Sequence, residues 1–209
     1  MIYIITGHYG SGKTEIAINL AQKLKNPVIV DMDIVNPYFR TADAKDKLEA
    51  LGVKVIAPEF ANTNVDIPSL PPEIFSALQG EKDVILDVGG DEDGAIALGQ
   101  FNKYFKNGYE MYFVMNFLRP MTKEPEDVYE ILKEIEFASR LKVTKLINNT
   151  NVKEATTAEI VEKSMEKARK AEQLTNIPLM CVSGTQEVLK NIDGPKMELE
   201  LNLTLPWEL

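Results

Sequence analysis

Short apolar runs rich in Val and Ile alternate along the chain with longer stretches whose apolar positions recur at helical spacing. This is the pattern of βα units around a mostly parallel sheet. The runs at 1–6, 27–31, 53–57, 83–88, 110–116, 143–148 and 178–182 are continuous rather than alternating, as strands covered on both faces are. They predict a three-layer αβα fold with about seven strands. Ile16, Ala17, Leu20, Ala21 and Leu24 share one face of a helix that begins near Lys13, with Gly10 and Gly12 in the turn before it. Two further helices are predicted over 125–141 and, more charged, over 156–174. The segment 58–72 has four prolines and little periodicity and reads as a long loop or lid. In the tail, Leu199, Leu201, Leu203 and Leu205 alternate like a half-buried edge strand. With 209 residues and no repeat, the expectation is one domain over 1–209.

Chemistry enters at the first turn. Gly7, His8, Tyr9, Gly10, Ser11, Gly12, Lys13 and Thr14 match G-x-x-x-x-G-K-[ST] in full, directly after a strand and directly before a helix. Glycines let backbone N–H groups turn inward onto a β-phosphate, and the helix N-terminus adds its dipole. Lys13 would neutralise the β and γ oxygens, and the Thr14 hydroxyl would serve Mg²⁺, which takes oxygen ligands. A plain glycine-rich turn needs neither the lysine nor the threonine. The chain is expected to be a P-loop NTPase that binds a nucleoside triphosphate and magnesium.

Two carboxylate sites follow. Asp31 and Asp33 end the second strand, at the edge where open α/β sheets hold ligands. Asp87 ends another apolar strand and opens Asp-x-x-Gly with Gly90, the form of a magnesium-ordering aspartate followed by a glycine N–H that senses the γ-phosphate. A strand-ending Asp can also simply cap the next helix. The P-loop tips the balance toward function.

Charge narrows the partners. Acidic residues outnumber basic ones by 32 to 23, a net charge of −9, which disfavours nucleic acid and anionic lipid. Lys142, Lys145, Lys163, Lys167, Arg169 and Lys170 read as solvated helix faces rather than a binding patch. Cys181 is the only cysteine, so no internal disulfide can form. No long apolar span and no basic leader precede the first strand, and the expected location is the cytoplasm.

These residues resemble the SIMIBI class of P-loop ATPases, which includes MinD, ParA, the nitrogenase iron protein and CobQ/CobB-type domains. The resemblance rests on the P-loop near the start, Asp31-Met32-Asp33, Asp87-Val88-Gly89-Gly90, and Asn148-Asn149-Thr150-Asn151 after a late strand. It implies that Asp33 orients the attacking water, Asp31 supports the magnesium shell and Asp87 is the Walker B residue. It also implies that Asn148 or Asn149 contacts the base, with Ser183, Gly184 and Thr185 forming the other wall. The asparagine stretch is not the Asn-Lys-x-Asp that reads guanine, since Asn151 presents no carboxylate to the base, so ATP is expected. In MinD, ParA and the iron protein a second lysine near the start of the loop crosses a dimer. Here His8 stands at that position, and His8 when protonated, or Arg40, is the alternative cation. The segments 31–40 and 87–94 would be the switches through which a partner protein, or a second copy in a homodimer, is engaged; Tyr38 and Phe39 beside Pro37 would either meet that partner or pack on the core.

Three activities fit. One is a slow Mg-dependent ATPase that switches a partner. The second is an ATP-dependent small-molecule kinase or ligase like dethiobiotin synthetase, its acceptor pocket shaped by 58–72 and Asp91-Glu92-Asp93. The third is a nucleotide-binding module without turnover.

Overall fold

A computed structural model describes residues 1–33, 45–57, 71–90 and 92–202. The expectations placed on Val35 to Arg40, on most of 58–72, on Asp91 and on Leu203 and Leu205 lie outside the described residues. Among the described residues eight strands form one sheet: β1 (Ile2–Thr6), β2 (Val28–Asp31), β3 (Lys54–Ile56), β4 (Val84–Asp87), β5 (Glu110–Met115), β6 (Lys145–Asn148), β7 (Leu179–Gly184) and β8 (Lys196–Glu198). Their order is β3-β2-β4-β1-β5-β6-β7-β8, and every pairing is parallel. The helices are α1 (Lys13–Gln22), α2 (Lys45–Ala50), α3 (Glu73–Gln79), α4 (Glu92–Gly99), α5 (Pro125–Ser139), α6 (Ala158–Thr175) and α7 (Gln186–Leu189).

Each of the seven apolar runs contains one strand. Successive side chains point to opposite faces, so Ile4, Val30, Leu86, Phe113 and Leu146 pack with Leu98, Val128, Leu132 and Ala168 of α4, α5 and α6. Their neighbours Ile5, Ile29, Ile85, Val114 and Ile147 pack with Ile16, Ala17 and Ala21 of α1 and Leu48 of α2. Both faces are therefore buried, which is why the runs show no alternation. Helix α5 starts at Pro125, with the Glu124 N–H donating to the Asp127 carboxylate at 2.9 Å, and ends on Arg140 in the left-handed region.

An eighth strand joins the seven expected from the apolar runs. Lys196–Glu198 is three residues long with only Met197 buried, so it carries no apolar run to read. It lies upstream of the leucine alternation expected to form the edge, in which Leu199 is buried and Leu201 exposed. The chain then leaves the sheet and clamps α1. The Asn19 amide donates to Glu200 O at 2.9 Å and accepts from Glu200 N at 2.8 Å, and Asn202 N donates to the Glu15 carboxylate at 2.7 Å.

Because all strands run the same way, the segments that follow β1, β2, β4, β5, β6 and β7 gather at one edge of the sheet. The functional candidates are on that edge. Four of the six basic residues noted in the last third are paired with acids: Lys142 with Glu136, Lys163 with Glu159, Lys167 with Glu124 and Lys170 with Glu166.

Candidate functional site

The loop from Gly7 to Gly12 leaves β1 and turns back into α1 at Lys13. It is closed by Ser11 N donating to His8 O at 3.2 Å, and Ile16 N reaches Gly12 O at 3.2 Å to start the helix. Gly12 has φ +90, and a Cβ there would collide with the Asn149 amide. Only glycine permits both that conformation and that approach. Lys13, buried, donates from Nζ to His8 O at 3.2 Å, so its ammonium lies across the loop. Thr14, half-buried, follows in the first turn.

Two side chains from distant loops hold carbonyls of the turn. Asn149 Nδ2 donates to Ser11 O at 2.8 Å, and Arg119 Nε donates to Gly10 O at 2.8 Å. In a trans peptide the carbonyl and the next N–H point opposite ways. Holding Ser11 O on Asn149 therefore turns the Gly12 N–H away from Asn149. The two gripping loops are themselves tied together: Asn116, fully buried, donates to Asn151 O at 3.1 Å, and Phe117 N donates to Thr150 Oγ1 at 3.2 Å. Asn151 Nδ2 in turn donates to Asn149 O at 2.7 Å.

The carboxylates converge from neighbouring strands. Asp31 and Asp87 are direct partners in the β2–β4 register, and Asp87 is also the partner of Ile5 in β1. Both are buried. Asp33 is half-buried, and its N–H donates to the Asp31 carboxylate at 3.0 Å, folding the chain tightly past the strand end. Gly90 lies against the phosphate loop: a Cβ on it would sit 2.5 Å from Tyr9 N and 2.8 Å from Lys13 Nζ. The Asp-x-x-Gly segment and the loop lysine are thus in direct contact.

Magnesium fits this donor set. The set offers oxygen only, in the form of a helix-start hydroxyl and two buried carboxylates side by side. Among the described residues no group of three or more His, Cys, Asp or Glu could hold a metal as a protein cage. A hard cation that keeps its waters and uses substrate phosphates needs no such cage.

The two asparagines are engaged within the protein. Asn148 is fully buried, its amide donating to Ser164 Oγ at 2.8 Å and its carbonyl accepting from Thr150 Oγ1 at 2.7 Å. Asn149 spends its donor on Ser11 O and its acceptor on Ser183 Oγ at 2.9 Å. Neither amide edge is turned to solvent; both brace the loop that follows β6. His8 is not set up as a cation either: burial first, and the Lys13 charge second, lower its pKa from the ordinary 6.5. Arg40 lies outside the described residues.

Sequence reading passed over Arg119 and Asn116. The available signal was modest: both follow a strand that ends at the ligand edge, where an arginine is worth noting.

Neither a protein-family model nor a curated protein matches the chain. Solved structures do. The cell division protein FtsY of Thermotoga maritima superposes with a TM-score of 0.57 at 18% identity, over 90% of this chain and 63% of that one. The 54 kDa signal recognition particle protein of Aeropyrum pernix, solved with GDP, gives 0.58 at 19% identity over 95% and 43%. A nucleotide-binding protein of Archaeoglobus fulgidus, solved with ADP, gives 0.52 at 18% identity over 90% and 83%. The chain spans less than two thirds of the first two relatives. It shares the α/β P-loop NTPase-like fold of these structures. Among the described residues, no helix is long and apolar enough to cross a membrane.

Proposed function

We propose that this chain binds ATP with magnesium at Gly7 to Thr14 and hydrolyses it slowly, as a nucleotide switch of the CobQ/CobB, MinD and ParA kind. The observation that carries the reading is the contact of Gly90 with both Tyr9 N and Lys13 Nζ. A segment that begins at Asp87 and rests on the phosphate-binding lysine is placed to register whether a γ-phosphate is present.

In this reading the loop amides and Lys13 bind the β- and γ-phosphates. Thr14, Asp31 and Asp87 would hold magnesium directly or through its waters, and the metal would supply charge neutralisation between the phosphates. Asp33, half-buried at the strand end, orients the attacking water. Asn149 acts as a brace that holds the Ser11 carbonyl. ATP is favoured over GTP because the side chain of Asn151 is committed to Asn149 O and to Lys153 N, leaving no carboxylate there for guanine's N–H groups. The segments 31–40 and 87–94 would carry the nucleotide state to a partner protein or a second copy.

The test is a turnover assay with Mg-ATP and Mg-GTP. ADP should form slowly with water as acceptor. Asp33→Ala should lower the rate by about a hundredfold while ATP affinity stays within about threefold. An unchanged rate in that variant, or hydrolysis of GTP in preference to ATP, would overturn the corresponding part of the reading. Stoichiometric phosphorylation of a metabolite would replace it with the kinase or ligase activity.

A further inference from the structure

We propose that Arg119 is a second cation of the phosphate site, which engages the polyphosphate chain of the nucleotide alongside Lys13. The inference rests on the proposed nucleotide binding and adds a residue to it. Arg119 follows β5 and is held from both sides. Its own loop is fixed by Leu118 N donating to Asn116 Oδ1 at 3.1 Å and by Thr122 Oγ1 donating to Asn116 O at 2.7 Å. Its Nε is spent on Gly10 O at 2.8 Å, which lays the guanidinium on the crest of the loop. A Cβ on Gly10 would find Nε at 3.3 Å and the guanidinium carbon at 3.6 Å, so the planar group lies directly over that residue.

One hydrogen bond uses one of the five guanidinium donors. Among the described residues Arg119 forms no ion pair, and its terminal nitrogens have no hydrogen-bond partner. A half-buried guanidinium with its remaining donors open keeps them available to an anion. The loop beneath it is the one part of the chain shaped to receive an anion. A brace for Gly10 O alone would need only a neutral donor, as Asn149 is for the adjacent Ser11 O. The planar fork of arginine is suited to phosphate oxygens.

The experiment compares Arg119→Gln with Arg119→Lys. Glutamine keeps an N–H for Gly10 O and removes the charge; lysine keeps the charge. Affinities for ATP and ADP are measured by calorimetry at several salt concentrations, alongside thermal unfolding without nucleotide. Arg119→Gln should weaken ATP binding by about tenfold or more. It should also flatten the salt dependence and leave the melting temperature near that of the unaltered protein. Arg119→Lys should retain most of the affinity. Binding by the glutamine variant within about threefold of the unaltered protein, with the same salt dependence, would overturn the role of Arg119 and leave nucleotide binding standing. Equal losses in both variants would also overturn it, because the loss would then track geometry rather than charge. If the unaltered protein bound neither nucleotide, the wider reading would fall with it.

Discussion

Two polar regions of this molecule are built on opposite terms. At the end of α5 the buried carboxylate of Glu136 accepts from Lys142 at 2.8 Å, from Val143 N at 3.0 Å and from Lys133 at 3.3 Å. Burial alone would raise its pKa, but these donors together hold it below the ordinary 4.5. At the phosphate loop, by contrast, Thr6 Oγ1 and Ser11 Oγ are buried without a hydrogen-bond partner among the described residues. Among the described residues the guanidinium of Arg119 there forms no ion pair with a carboxylate. The Glu136 cluster closes its own hydrogen bonds and joins α5 to β6. The loop leaves the Thr6 and Ser11 hydroxyls and part of the Arg119 guanidinium without partners among the described residues, which is the arrangement the proposed anion site requires.

The sharpest way to break that contrast is to remove one charge from each region. Lys13→Ala should reduce ATP affinity on the order of a hundredfold, because a charge-assisted contact to phosphate is lost. The melting temperature without nucleotide should hardly move. Glu136→Ala should do the reverse. It orphans the buried Val143 N–H and should cost about 2 kcal/mol in a denaturant titration, with ATP affinity unchanged. The pH dependence follows in sign. A carboxylate whose folded pKa is depressed adds stability above its unfolded value and loses it as pH falls through the folded one. The stability gap between the unaltered protein and Glu136→Gln should therefore shrink below pH 4.5.

Smaller changes refine the comparison. Gly90→Ala puts a methyl 2.5 Å from Tyr9 N, against backbone that cannot give easily, and should weaken ATP binding about tenfold as the loop shifts. His8→Ala should have the least effect, under about threefold in ATP affinity at pH 7.5. With its pKa lowered, the imidazole brings no charge to the loop at that pH.

What the chain's pattern reveals about its fold follows from burial. Strands covered on both faces advertise themselves as unbroken apolar runs, and seven of the eight did. Lys196–Glu198 did not, because an edge strand with one buried residue has no run to display. The phosphate loop is legible because its residues are contiguous and each answers a local demand. Arg119 is not, since 109 residues separate it from Gly10 and only the adjacency of β1 and β5 brings them together. Asn148 and Asn149 are expected at a base from their position after a late strand, and that position says nothing of the partners they have inside the protein. Spacing carries no information on where an amide points, and here Ser164, Thr150, Ser11 and Ser183 use those amides.

The most direct measurement is a crystal structure with magnesium and a nonhydrolysable ATP analogue. The account predicts the β-phosphate inside the curve of residues 8–14, with Lys13 Nζ released from His8 O onto the phosphates and Gly90 beside the γ-phosphate. A nucleotide bound elsewhere, or a loop in which Lys13 stays on His8 O and no phosphate enters, would contradict it.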